Sequence, residues 1–342
     1  KALQSKTGAM LLNQDTVLTG KYIESIQALG ISGVYIEDDI SKDLAIESVI
    51  SDELRIETTE QVKNLFIAAG RGQQQQISLD NIKKQVQDII DELTHNKNMM
   101  VNMVDLKSFD NYTYAHSVNV AVLALIVGMA KRLNREELTK LGIGALMHDI
   151  GKVFIDKNII NKPDKLTEEE FEKVKSHPKK GYNYVIEKFS LPTASHMAII
   201  DHHEKYDGTG YPSQKTENKI SIYGRIIAVA DVYDALISER PYRKAMLPSE
   251  AIEYIMGNSE THFDPDLVKI FIRKVAPYPV GTIVRLSNGY TGIVIENNEA
   301  FCMRPIVRIV KEGNTMVAPY EINLGEDMRR LNIVIDGIVF EY

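Results

Sequence analysis

"LMHDIGKVFI", residues 146–155, decides the reading of this chain. His148 and Asp149 stand side by side in an apolar stretch, and Gly151-Lys152 follow at once. Two ionisable groups among hydrophobic neighbours cost free energy unless a metal, an ion pair or solvent satisfies them. Working outward, other stretches repeat the anomaly. His116 opens the very apolar "YTYAHSVNVAVLALIVGMA" (112–130), and His177 begins "HPKKGYNYV". His202 and His203 are adjacent in "IIDHHEKYDGTGYP", and Asp231 lies inside "GRIIAVADVYDAL".

Each of these has a plain structural reading when taken alone. A lone histidine on an apolar helix is commonly a satisfied core residue, and Asp231 could cap a helix or pair with Arg225. Five histidines and two buried-looking carboxylates on separate helices are harder to explain that way. Imidazole and carboxylate suit Zn, Mn, Fe or Ni, and with thiolate missing the set favours borderline-to-hard ions. Seven ligands exceed what one ion takes. If Asp149 bridges two six-coordinate ions, positions remain for a shared hydroxide and for substrate oxygens, the arrangement a two-metal hydrolase uses.

The formal net charge of −7 and the lack of a long Lys/Arg block argue against a nucleic-acid polymer as partner. The single cysteine, Cys302, excludes an internal disulfide framework and suits a reducing, cytoplasmic setting. The apolar run 120–130 is well short of the roughly 20 residues a bilayer requires, so no membrane span is expected. The chain begins at Lys1 rather than Met.

Residues 1–76 read as a small α/β unit. It has a helix over 21–29, a stop at Gly30, a strand over 33–37 and a second helix over 59–69. Ser78 offers an N-cap for a helix whose Ile82, Val86, Ile89, Ile90 and Leu93 share one face, suited to dimerisation or to internal packing. Residues 77–275 read as helical. Residues 276–342 alternate β-branched segments with Gly/Asn turns, as in "TIVRL", "TGIVIE", "IVRIV" and "NIVIDGIVF", and predict a small all-β module.

"HDIGK" followed by "HHEKYDGTGYP" and "RPYRKAM" resembles the HD-GYP subgroup of the HD phosphohydrolase superfamily, over roughly residues 95–275. The implied fold is mostly α: a helical HD-type catalytic domain with small α/β and all-β flanks. The resemblance implies hydrolysis of cyclic di-GMP to linear pGpG, and onward to GMP in some members, by a hydroxide between two divalent ions. Fe or Mn is the usual pair, with Zn or Ni acquired on purification. By resemblance, His116, His148, Asp149 and Asp231 form one metal site, and Asp149 bridges to His177, His202 and His203. Asp149 and Lys152 are the catalytic residues. Lys152 contacts a substrate phosphate, and Gly210, Tyr211, Pro212, Arg240 and Arg243 line the substrate pocket, with Gly208 in the same turn.

Some relatives carry Glu four residues before the first histidine to hold a third ion. Tyr112 stands there, a poor ligand near neutral pH, so two ions are expected and the second hydrolytic step is in doubt. His95, His196 and His262 fall outside the motif order and are expected to be surface or structural. The alternatives are a phosphodiesterase for another cyclic dinucleotide such as cyclic GMP–AMP, or a catalytically weak dinucleotide sensor in bacterial signalling. A homodimer, and signalling partners through the flanking domains, complete the expected partners.

Overall fold

The helix over 112–130 organises the molecule, because nearly every one of its side chains past the first turn is buried. In the computed structural model the described residues are 3–4, 10–13, 16–28, 36, 38–44, 48–72, 79–96, 100–101, 112–162, 164–238 and 245–339. The chain opens with a two-stranded antiparallel pair, β1 (Leu3–Gln4) and β2 (Met10–Leu12), and helix α1 (Gly20–Ala28). The expected Gly30 stop and most of the strand over 33–37 lie outside the described residues.

Helix α2 (Asp52–Gly70) starts well before the expected residue 59. Ser51 caps it by accepting from the Leu54 amide, and Asp52 and Glu53 complement the helix dipole. Helix α3 (Leu79–His95) buries Ile82, Val86, Ile89, Ile90 and Leu93 as its periodicity predicts. That face is covered by the protein's own α2 and α5 (Arg135–Met147), so it gives no argument for a dimer. The Ser78 cap lies outside the described residues.

Helix α4 (Tyr112–Ala130) runs through the core against α2, α5 and α10 (Ile222–Ile237). Each fully buried Val, Leu or Ile here contributes about 1.5–3 kcal/mol. Its stretch Thr113–Ala130 is the one helix, among the described residues, long and apolar enough to cross a membrane, yet 78% of it is buried inside the protein. An Asn134–Glu137 capping box starts α5. A 3₁₀ turn, Ile150–Phe154, follows, then α6 (Lys157–Ile160), α7 (Glu168–Lys175), α8 (His177–Lys188) and α9 (Thr193–Asp201). After α10 come α11 (Pro248–Gly257) and α12 (Pro265–Lys274), the latter capped by Asp264, which accepts from the Asp266 and Leu267 amides.

Helix α2 lies before the boundary drawn at residue 76, yet Leu54, Val62, Leu65 and Phe66 belong to the same core as α4 and α10. The C-terminal module is a five-stranded antiparallel sheet, ordered β6-β5-β4-β3-β7. Its strands are β3 (Ile283–Leu286), β4 (Tyr290–Glu296), β5 (Ile306–Glu312), β6 (Thr315–Asn323) and β7 (Ile335–Ile338). It has its own core around Val284, Val294, Val307, Ile309 and Ile322. The sequence reading missed β6 and drew β7 too long.

Candidate metal centre

Three of the candidate ligand histidines, His148, His177 and His202, stand at helix ends, where the last carbonyls have no partner within the helix. His148 caps α5, and its Nδ1 lies 2.8 Å from the Ala145 carbonyl. His177 follows α7 and lies 2.7 Å from the Val174 carbonyl through Nδ1. His202 caps α9 and reaches the Ile199 carbonyl at 2.7 Å. A carbonyl can only accept, so each Nδ1 carries a proton, and in the neutral ring each Nε2 is a lone pair available to a cation.

His116 and Asp231 instead sit within α4 and α10, where main-chain carbonyls are already used. A side chain supplies the partner there. Asp234, fully buried one turn beyond Asp231, accepts from His116 Nδ1 at 2.6 Å. Asn119 donates to its other oxygen at 2.9 Å, and Arg55 of α2 donates to Asn119 at 2.8 Å. His116 Nε2 then lies 3.0 Å from Asp231 Oδ1. Arg225, the alternative partner for Asp231, pairs with Asp264 at 2.6 Å instead.

Asp149 stands between these histidines. Its Oδ2 is 3.4 Å from His148 Nε2 and 4.0 Å from His116 Nε2. Its Oδ1 is 3.3 Å from His177 Nε2 and 3.9 Å from His202 Nε2. Two groups result: His116, His148 and Asp231, and Asp149, His177, His202 and His203, each with ligand atoms within 4.8 Å of one another. Lys152 Nζ reaches Asp149 Oδ2 at 2.5 Å from the partly open side.

Gly151 makes this approach feasible. A Cβ there would lie 1.9 Å from the His177 carbonyl oxygen, so only glycine lets the turn carrying Asp149 press against the start of α8.

The electrostatics divide along the same lines. Burial opposes a proton on His116, but the Asp231 and Asp234 carboxylates outweigh it and hold the imidazole up to about 9. Burial, reinforced by neighbouring imidazoles, pushes His203 down to about 3 and His202 well below its usual value. Burial works against the charged form of Asp149, yet Lys152 and the imidazoles keep it well below the usual carboxylate range. Asp231 is held low too, with His116 overcoming the cost of burial.

These residues fit divalent ions. His148 Nε2 and Asp149 Oδ1 are buried without hydrogen-bond partners. His177 Nε2 and His202 Nε2 are 3.2 Å apart, and with both Nδ1 atoms donating to carbonyls, two neutral rings would set lone pair against lone pair. Such crowding of bare acceptors is costly unless a cation lies between them.

The turn from Lys205 to Lys215 closes one side. Gly208 has φ of +84°, and a Cβ at Gly210 would lie 2.2 Å from the Lys205 amide nitrogen. Buried Glu204 ties the turn down by accepting from the Ser213 and Lys215 amides, and the Tyr206 and Asp207 amides donate to the His262 and Thr261 carbonyls. Tyr211, joined to Pro212 by a cis bond, stacks on His203 with ring centroids 4.8 Å apart. Burial and the nearby carboxylates push its phenol up, so it keeps its proton. Arg240 and Arg243 lie outside the described residues, as does the side chain of Tyr112.

His95 is exposed, and His196 and His262 stand apart from both groups. The sequence reading missed Asp234, Asn119 and Arg55. A signal existed for the first two, because Asn119 follows His116, and Asp234 follows Asp231, by three residues on the same helix face.

The profile of the HD domain family matches residues 90–267, just over half of the chain. The cyclic di-GMP phosphodiesterase PA4108 of Pseudomonas aeruginosa is 37% identical over 236 residues, covering 67% of this chain and 56% of that protein. The 3'3'-cGAMP-specific phosphodiesterase 3 of Vibrio cholerae is 38% identical over 164 residues, covering 48% of this chain and 35% of that protein. The chain thus spans little more than half of the first relative and about a third of the second. Among solved structures, Bd1817, an HDG"Y"P protein from Bdellovibrio bacteriovorus, superposes with a TM-score of 0.52 at 17% identity. It covers 73% of this chain and 77% of its own, a likeness of fold. With its residues 90–267 matched and its paired His/Asp groups of the kind that hold metal ions, the chain belongs to the HD domain family.

Proposed function

We propose that this protein hydrolyses cyclic di-GMP to linear pGpG, using two divalent ions held by His116, His148, Asp149, His177, His202, His203 and Asp231. The observation that carries the reading is the position of Asp149, with one carboxylate oxygen toward each histidine group. Ions bound there would polarise a phosphodiester, lower the pKa of an attacking water and neutralise developing charge.

The chain's own groups supply the rest. Lys152 stands on Asp149 with part of its side chain open to solvent, placed to meet a phosphate oxygen. Tyr211, flat against His203, offers a face on which a purine stacks, and its protonated phenol donates a hydrogen bond rather than accepting a proton. Arg240 and Arg243 complete the pocket in this reading. Fe or Mn is the proposed metal. With Tyr112 in place of a carboxylate at the start of α4, the reaction stops mainly at pGpG.

The catalytic unit proposed for 77–275 draws in α2 from the N-terminal side, while the remaining parts of 1–76 and the sheet of 276–342 serve regulation or partner binding. A second reading, hydrolysis of a cyclic GMP–AMP, is favoured by the 38% identity to the Vibrio cholerae enzyme.

The test is anaerobic incubation with cyclic di-GMP, and in parallel with 3'3'-cGAMP, under Fe(II) or Mn(II), with products separated by chromatography. The proposal expects pGpG as the main product, faster turnover of cyclic di-GMP, and no product from Asp149→Ala. Preference for 3'3'-cGAMP would favour the second reading. Two bound ions without product from either dinucleotide would leave a sensor.

A further inference from the structure

Helix α2 precedes the part of the chain that matches the HD domain family, yet one of its side chains is joined to the candidate metal centre by a line of hydrogen bonds. Arg55 Nη1 donates to Asn119 Oδ1 at 2.8 Å, Asn119 Nδ2 donates to Asp234 Oδ1 at 2.9 Å, and His116 Nδ1 donates to Asp234 Oδ2 at 2.6 Å. We infer that Arg55 is a positioning residue for His116: it acts through Asn119 and Asp234 to set the orientation and tautomer of the ligand, and so couples α2 to one metal group and not to the other. The inference rests on the proposed metal-binding role of His116.

The direction of each bond leaves little freedom. A guanidinium can only donate, so it fixes the Asn119 amide with its oxygen toward α2 and its NH₂ toward Asp234. Asp234, held on one oxygen by that NH₂, presents the other to His116 and pins the proton on Nδ1. Nε2 is thereby left to face Asp231 and Asp149. Asn119 and Asp234 are themselves buried, so a lost donor is not readily replaced by solvent.

Among the described residues, no such line joins the second group to α2. Its His177 and His202 are held by main-chain carbonyls of α7 and α9. At the other end of α2, Gly70 packs near the Val153 side chain in the turn after Asp149. A displacement of α2 would therefore act on the His116 group first.

The experiment is calorimetric titration of the metal-stripped full chain with Mn(II) alone, comparing wild type, Arg55→Gln, Arg55→Lys and Asp234→Asn, with thermal melting to check folding. The expected result is two binding events in the wild type. In Asp234→Asn one dissociation constant rises by roughly 10–100-fold, the range for outer partners of metal-bound histidines. In Arg55→Gln the same constant rises by about tenfold or less, and Arg55→Lys recovers part of it, while the other constant stays put in every variant. In the loaded enzyme kcat falls with little change in KM.

Both constants unchanged in folded Arg55→Gln, or both shifted equally, would overturn the coupling while leaving the metal reading intact. Fewer than two ions in the wild type would overturn the metal reading and this inference with it. If Arg55→Gln fails to fold, Arg55→Lys decides. Its single ammonium in place of the fork should weaken one constant a few-fold, and an unaltered pair of constants would refute the proposal.

Discussion

The candidate ligands at helix ends and those within helices solve one problem by different means. His148, His177 and His202 each take a proton acceptor from the last turn of the preceding helix, a group every helix provides. His116, inside α4, finds no free carbonyl and needs Asp234, Asn119 and Arg55. Main-chain support depends on where a helix stops; side-chain support depends on three particular residues, Asn119 on α4 itself and Asp234 and Arg55 on two further helices, and can be changed by one substitution. The helix-end histidines also gain from the negative ends of α5, α7 and α9, which favour a cation between them.

Removing what the two kinds of ligand share should do the most damage. Asp149→Ala is expected to lower hydrolysis by at least about 10³-fold, since neither ion would keep its place opposite the phosphate. Turnover measured with saturating Mn(II) checks this, and retained activity would break the equivalence of the two groups. Lys152→Met should cost about 10²-fold in kcat, the scale of losing one preorganised charge beside a reacting oxygen. The same assay reads it.

The comparison is sharpened by pH. With the metals chelated, the folded pKa of His116 is about 9 against an unfolded value of 6.5. The stability it contributes is fully present below 6.5 and is lost as pH rises through about 9. His203 has the opposite sign: its folded value near 3 gives a contribution present above 6.5 and lost as pH falls toward 3. Thermal melts of the chelated chain should therefore fall off on both sides. His116→Asn should remove the alkaline slope and His203→Asn reduce the acid one, and unchanged slopes would show that other groups set them. A metal bound there would have to expel a proton from His116 and none from His203, so proton release near pH 7.5 should fall by about one per chain in His116→Asn.

The smallest effect belongs to the C-terminal sheet. Arg308 of β5 holds Asp43 at 2.7 Å and donates to the Ile40 carbonyl at 2.8 Å, a contact between the two flanks far from both histidine groups in the chain. Arg308→Ala should lower stability only slightly, because the aspartate is exposed and solvent screens the pair. Turnover should not change. A clear loss of activity would extend the machinery beyond the helices.

The metal-ligand candidates were legible because ionisable residues interrupt apolar helices, and that anomaly survives in a bare sequence. The apolar face of α3 was legible for the same reason, through its period. What supports the histidines was not: a main-chain carbonyl has no residue signature, and Arg55 lies 64 positions from its partner. Asn119 and Asp234 did leave a trace, three residues after His116 and Asp231. Strand β6 was missed because Pro319 lies within it; as an edge strand it can spare that amide.

The most direct test of the account is a crystal structure of the Mn(II)-loaded protein with anomalous scattering. The account predicts two peaks roughly 3.5–4 Å apart, one among His116, His148 and Asp231, the other among His177, His202 and His203, with Asp149 touching both. A single peak, or two that do not share Asp149, would contradict it.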